Sequence, residues 1–154
     1  PMNAQVAVAL EPQDTFSPSV QNIIAPELDS FELTTDTSNR AIWVARRSEA
    51  SASVTLSQLR ETLAIDEVLS QASETDVRFK VLCSEQPGVF SLGGDLRLFC
   101  ECIEQGKREV LEDYAALAIK AVWNNVSALG ARRVPSLAIV AGEAQGGGFE
   151  AALS

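Results

Sequence analysis

The sequence predicts an α/β fold. Three observations carry this expectation. Segments with two-residue alternation and segments with helical spacing follow one another in the order ββαβααβα. "SLAIVAG" (136–142) is an unbroken apolar run, the pattern of a strand covered on both faces. Two glycine-rich turns, "SLGGDL" and "AQGGGFE", stand where a strand gives way to a helix.

The elements follow in chain order. Residues 1–29 mix Pro, Gln, Ser and Asn with a short apolar "NIIAPEL" and are expected to form a loosely held arm. Residues 30–154 are expected to form one folded unit. "FELTTDTSNRAIWVARR" (31–47) alternates on both sides of the turn-rich "DTSN", which predicts a β-hairpin. In "TLSQLRETLAIDEVLSQAS" (55–73), Leu56, Leu59, Leu63, Val68 and Leu69 recur near helical spacing. "VRFKVLCS" (77–84) reads as a strand closed by "EQPG". "VFSLGGDLRLFCECIEQG" (89–106) runs from a strand end through a glycine turn into a helix, with Asp95 as its N-cap. A long helix is expected over 108–130, with Ala115, Ala118, Ile119, Val122 and Val126 as its apolar stripe and Gly130 as its C-cap. The strand at 136–142 then leads through the second glycine turn into a short helical stretch, "FEAALS". Tyr114, Trp43 and Trp123 are expected in the core or at an interface.

Composition removes several function classes. The 154 residues suffice for one domain, and 46% hydrophobic with 21% charged content suits a globular chain. A net charge of −9 argues against nucleic acid and against anionic membrane surfaces as partners. No apolar run reaches the length of a membrane-spanning helix. The N-terminal apolar patch has no positive charge ahead of it, so no signal peptide is expected. Cys83, Cys100 and Cys102 are odd in number and lack metal or redox spacing, which suits reduced thiols in a cytoplasmic protein. Cys100 and Cys102 point to different sides of one helix, so at most one faces the core. With no histidine, Ser-His-Asp triads, Cys-His pairs and histidine-ligated metals are excluded within this chain. Acid–base chemistry falls to carboxylates, Lys, Tyr or Cys.

The two turns suggest which chemistry. Nucleotide loops fit poorly. "AQGGGFE" has no Lys-Ser/Thr after its glycines, its spacing is not G-x-G-x-x-G, and Glu150 would repel a phosphate. Two backbone N–H groups, one from each turn, can instead converge on a single oxygen and stabilise charge developing there. A carboxylate one turn into the second helix then flanks the reacting carbons. That arrangement suits thioester chemistry.

"FSLGGDL" followed by "AIVAGEAQGGGFEAALS" resembles the enoyl-CoA hydratase/isomerase (crotonase) superfamily. "GGDLRLFCECIEQGKREVLEDYA", "LGAR" and "GGGFEAALS" resemble more narrowly the bacterial diffusible-signal-factor synthases, which make cis-2-unsaturated fatty-acid signals. The resemblance implies a crotonase-like fold, with this chain as the N-terminal portion of its β-β-α spiral core. It implies an oxyanion hole from the N–H groups of Gly94 and Gly147. Gly93, Gly146 and Gly148 would shape the turns against substrate, Gln145 would stand beside the acyl pocket, and Glu150 would be a catalytic glutamate. A second glutamate is implied in a Pro-Glu step beyond Ser154, so the chain is expected to be little more than half of the family's domain. The implied reaction dehydrates a 3-hydroxyacyl thioester on acyl carrier protein or coenzyme A and then hydrolyses the thioester. No metal or redox cofactor is implied. Family analogy implies a homo-oligomer, a trimer or a pair of trimers. A hydratase or isomerase of acyl-CoA, and a non-catalytic partner of a signalling receptor, stay open as alternatives. Glu143 is expected at the surface or the pocket rim. Arg132 and Arg133 are expected in solvent or facing an acidic carrier protein or a coenzyme A phosphate.

Overall fold

The computed structural model describes residues 28–72, 76–130 and 134–154. Arg132, Arg133 and nearly all of the N-terminal arm lie outside the described residues. Ten elements follow in order: β1 (Phe31–Asp36), β2 (Ala41–Arg46), α1 (Leu56–Gln71), β3 (Phe79–Ser84), β4 (Gly88–Ser91), α2 (Leu96–Glu104), α3 (Arg108–Val126), β5 (Ser136–Ala138), β6 (Gly142–Ala144) and α4 (Gly147–Leu153). A four-stranded sheet has the order β1-β2-β3-β5, and β4 with β6 makes a separate two-stranded sheet. β1 and β2 are antiparallel, whereas β2–β3, β3–β5 and β4–β6 are parallel.

The hairpin forms where alternation predicts it. Its turn is fastened by Asp36, whose carboxylate accepts from the Asn39 backbone N–H at 3.0 Å and from Asn39 Nδ2 at 2.8 Å. The side-chain bond first, and the backbone bond second, hold the Asp36 carboxyl below its ordinary range. α1 begins with a capping box: Thr55 Oγ1 accepts from Gln58 N, and Gln58 Oε1 accepts from Thr55 N. Its inner face packs Ile65 and Leu69 against Ile42 and Val44 of β2, with Val77 and Val134 closing the cluster. Each such side chain contributes about 1.5–3 kcal/mol by leaving water. A second cluster joins Leu59 of α1 to Tyr114 and Ala121 of α3, flanked by Leu98 and Phe99 of α2. Tyr114 donates to the Val54 carbonyl at 2.6 Å and meets the Phe99 ring edge-on, with centroids 4.9 Å apart. Cys102 is buried and Cys100 exposed, one on each side of α2.

Three expectations change. First, α3 ends at Val126, with Ser127 rather than Gly130 at the cap. Ala128, Leu129 and Gly130 then take left-handed backbone, which turns the chain sharply and brings the Val134 N–H to the Ala128 carbonyl at 2.9 Å. Second, the face of α3 that packs inward carries Tyr114, Leu117, Ala118, Ala121 and Asn125. Of the expected stripe, Ile119 and Val126 are exposed, as is Trp123. Inward-facing polar groups of Tyr114 and Asn125 find hydrogen bonds there, so the buried face need not be the most apolar one. Third, the described residues do not cover the apolar run at 136–142 on both faces. β5 is three residues long, and Leu137, Ile139 and Val140 stay exposed among the described residues. No helix of the described residues is long and apolar enough to cross a membrane.

The small sheet decides where the site sits. Gly142 lies flat against Gly88. A Cβ on Gly142 would stand 2.2 Å from the Gly88 carbonyl carbon, so no side chain fits at this crossing. β4 and β6 both run straight into the glycine turns, so their pairing sets the turns side by side.

Candidate active site

The first turn follows β4. Gly93 takes φ +81°, a conformation open to glycine at little cost, and its carbonyl accepts from Val54 N at 2.7 Å. Asp95 caps α2 as expected, accepting from Leu98 N at 3.1 Å. The second turn follows β6. Gly146 takes φ +48° and α4 starts at Gly147. The turns touch. Gln145 N donates to the Ser91 carbonyl at 2.8 Å, and a Cβ on Gly93 would stand 2.6 Å from the Gln145 carbonyl oxygen and 3.2 Å from Gly147 N.

The backbone N–H groups of Gly94 and Gly147 donate to no acceptor among the described residues. Both glycines line one cavity of about 540 Å³, together with Gly93 and Glu150. Ala151 lines it as well, so one turn of α4 forms part of its wall. The remaining wall is mostly apolar, including Val44, Leu59, Phe90, Phe99 and Val122. The expected site residues therefore divide. Gly93, Gly94, Gly147 and Glu150 come together at the cavity. Gln145, Gly146 and Gly148 are not among its lining residues. Gln145 is exposed and its Nε2 donates to Glu143 Oε2 at 2.9 Å, while Gly148 is buried against Ser91. Glu143 is exposed, as expected for a surface acid.

Gly148 is the contact that seats α4. A Cβ there would stand 2.5 Å from the Ser91 Cβ and Oγ and 2.7 Å from the Ser91 carbonyl oxygen. Gly148→Ala is expected to lower unfolding free energy by about 1–3 kcal/mol, because the backbone oxygen has nowhere to go. Gly147→Ala has open space around it and is expected to leave stability within about 0.5 kcal/mol. Urea denaturation of the two variants side by side checks the contrast; equal stabilities would show that α4 is not seated through Gly148.

The cavity also gathers buried polar residues that belong to no motif. Arg46 is buried, and its Nη1 donates to the Phe90 carbonyl at 2.7 Å and the Ala52 carbonyl at 3.2 Å. It thereby ties β2 to the backbone that enters the first turn, and burial pulls its guanidinium below its ordinary pKa. Lys80 and Asp66 form a salt bridge at 2.6 Å with each side chain 1% exposed, and both line the cavity. The sequence does carry a signal for these two. Lys80 interrupts an otherwise apolar strand, and Asp66 stands among the leucines of α1 at helical spacing from Leu59 and Leu69. Burial pushes the Tyr114 phenol and the Cys83 thiol up, with Glu85 adding to the rise at Cys83.

This architecture is the crotonase fold. The chain is similar to the solved structure of DspI from Pseudomonas aeruginosa, at 21% identity and a TM-score of 0.62, over 81% of this chain and 46% of that one. It is similar to an enoyl-CoA hydratase from Bacillus anthracis at 20% identity and a TM-score of 0.65, over 81% of this chain and 45% of that one. A putative enoyl-CoA hydratase from Streptomyces coelicolor A3(2) matches 99% of this chain and 48% of its own, at 19% identity and a TM-score of 0.64. The chain thus spans about half the length of the solved structures it matches. No family model matches it, and no curated protein does.

Proposed function

We propose that this chain carries the oxyanion turns and one catalytic carboxylate of a crotonase-fold enzyme that dehydrates a 3-hydroxyacyl thioester. The observation that supports this most directly is the meeting of both glycine turns and Glu150 at one largely apolar cavity, with two N–H groups unclaimed among the described residues. The thioester oxygen sits between the N–H groups of Gly94 and Gly147. The Glu150 carboxylate takes a proton from C2, and the electron pair moves toward that oxygen, where the two donors stabilise the enolate. The pair then returns to form the C2–C3 double bond. Hydroxide leaves C3 with a proton from a second acid, which the family resemblance places after Ser154. Water then hydrolyses the thioester and releases a cis-2-enoic acid, the product the synthase resemblance implies. Acyl carrier protein or coenzyme A carries the substrate, and no metal or redox cofactor takes part in these steps. By family analogy the protein is a homo-oligomer, a trimer or a pair of trimers, and its odd, unspaced cysteines suit the cytoplasm.

Enoyl-CoA hydratases among the structural neighbours favour a second reading, addition of water to a 2-enoyl-CoA. Product analysis by mass spectrometry separates the two. The intact protein is incubated in turn with 3-hydroxyacyl and 2-enoyl thioesters, each on coenzyme A and on acyl carrier protein. Free cis-2-enoic acid is the expected product. Formation of 3-hydroxyacyl-CoA alone establishes the hydratase. Absence of any turnover, with retained binding to a signalling receptor, would leave a non-catalytic partner as the surviving alternative.

A further inference from the structure

The most deeply buried polar cluster of the described residues ends at the helix that carries Glu150. Lys80 Nζ of β3 donates to Asp66 Oδ1 of α1 at 2.6 Å and to Asn125 Oδ1 of α3 at 2.7 Å. Asn124 Nδ2 donates to Asp66 Oδ2 at 2.9 Å. Ser136 Oγ of β5 donates to Asn125 Oδ1 at 3.0 Å. Asn125 Nδ2 donates to Ser154 Oγ at 3.0 Å, and that hydroxyl donates to the Ala151 carbonyl of α4 at 2.9 Å.

The direction of this chain of bonds follows from donor and acceptor chemistry. An ammonium only donates, so Lys80 obliges Asn125 to present its carbonyl oxygen inward. The amide nitrogen must then face Ser154. Ser154 accepts from it and turns its own hydrogen to Ala151, one residue beyond Glu150. Asp66, held by Asn124, keeps the ammonium in place. Among the described residues, Gly148 seats α4 against Ser91 and Ser154 ties it to Asn125. Glu150 lies between them.

We infer that Lys80, Asp66 and Asn125 are positioning residues, which act through Ser154 to fix α4 and so set the Glu150 carboxylate at the cavity. The inference rests on the proposed role of Glu150, but its structural half is testable without any substrate. Three variants of the intact protein serve: Ser154→Ala, which cuts only the last link; Ser154→Thr, which keeps the hydroxyl; and Lys80→Met with Asp66→Leu, which replaces the ion pair by apolar groups and so leaves no buried charge unpaired. Amide hydrogen exchange is measured for α4 and, as an internal reference, for residues 112–120 of α3.

Ser154→Ala and the double variant are expected to speed exchange in α4 by about ten-fold or more while the α3 reference stays within about two-fold, and Ser154→Thr to restore protection. With an active thioester substrate, kcat falls in the same two variants and KM holds. Unchanged α4 exchange in folded Ser154→Ala and double variants would overturn the anchoring. Faster exchange with undiminished kcat would overturn the link to Glu150. If the wild-type protein turns over no thioester while α4 still loosens as expected, the functional reading fails and the anchor stands.

Discussion

Glu150→Gln is expected to lower kcat for 3-hydroxyacyl thioester turnover by about 10²–10⁴-fold, the range over which positioned proton transfer contributes. Glutamine keeps the shape and hydrogen-bonding reach of the side chain and removes only its ability to exchange a proton. Glu150 is exposed at the cavity edge and its carboxylate has no partner among the described residues. The substitution therefore leaves stability within about 0.5 kcal/mol, as surface changes usually do. A loss of rate with an unchanged urea midpoint is the expected pair of results. Turnover at the wild-type rate would remove Glu150 from the mechanism and leave only the N–H groups of Gly94 and Gly147 as the proposed machinery. A lost rate that tracks a lowered urea midpoint would instead mark Glu150 as structural.

Lys80→Met is expected to cost about 3–5 kcal/mol of stability, more than is expected of Gly148→Ala. The ammonium is 1% exposed, and its removal strands the Asp66 carboxylate in the interior with Asn124 as its one remaining side-chain donor among the described residues. Asn125 simultaneously loses the donor that orients its amide. Much of that cost is the penalty of one uncompensated charge. Removing both charges together, as in Lys80→Met with Asp66→Leu, is expected to return most of the stability. Urea denaturation of the single and double variants gives the comparison directly. A single variant as stable as the wild type would mean that water reaches Asp66 and that the pair is not buried in solution.

Much of the fold is legible in the sequence. Two-residue alternation around "DTSN" locates the hairpin: β1 alternates half-buried with exposed side chains, and β2 alternates buried with half-buried ones over most of its length. Helical spacing locates α1, and Asp95 announces the start of α2. The pairing of "SLGGDL" with "AQGGGFE" locates the cavity, since each turn sits at a strand end where backbone donors are free. What escapes has a physical cause in each case. α3 carries apolar residues on two faces, and periodicity cannot choose between them. The buried face is decided by Tyr114 and Asn125, whose polar groups find partners inside. β6 is Gly-Glu-Ala, which has no strand preference of its own, and it becomes a strand only because β4 lies beside it. Lys80 within an apolar strand and Asp66 among the leucines of α1 hint at burial, but neither position names the other as its partner. Their burial depends on meeting each other, which is a property of the folded chain. Gln145 stands in the right segment, but its side chain turns outward to Glu143.

The flat crossing of Gly142 on Gly88 has a consequence for how this protein acquires its site. The first turn ends at residue 94 and the second begins at residue 145, and nothing local joins them. α2 and α3 lie between, so the β4–β6 pairing closes a long loop and bears its entropy before any contact rewards it. The hairpin, α1 and β3 can gather from nearer neighbours. The folding order this suggests is a core first and a pair of turns last. Slow steps in refolding should then appear as delayed recovery of ligand binding rather than of helix content. A partly assembled chain would carry its hairpin and helices intact and have no site at all.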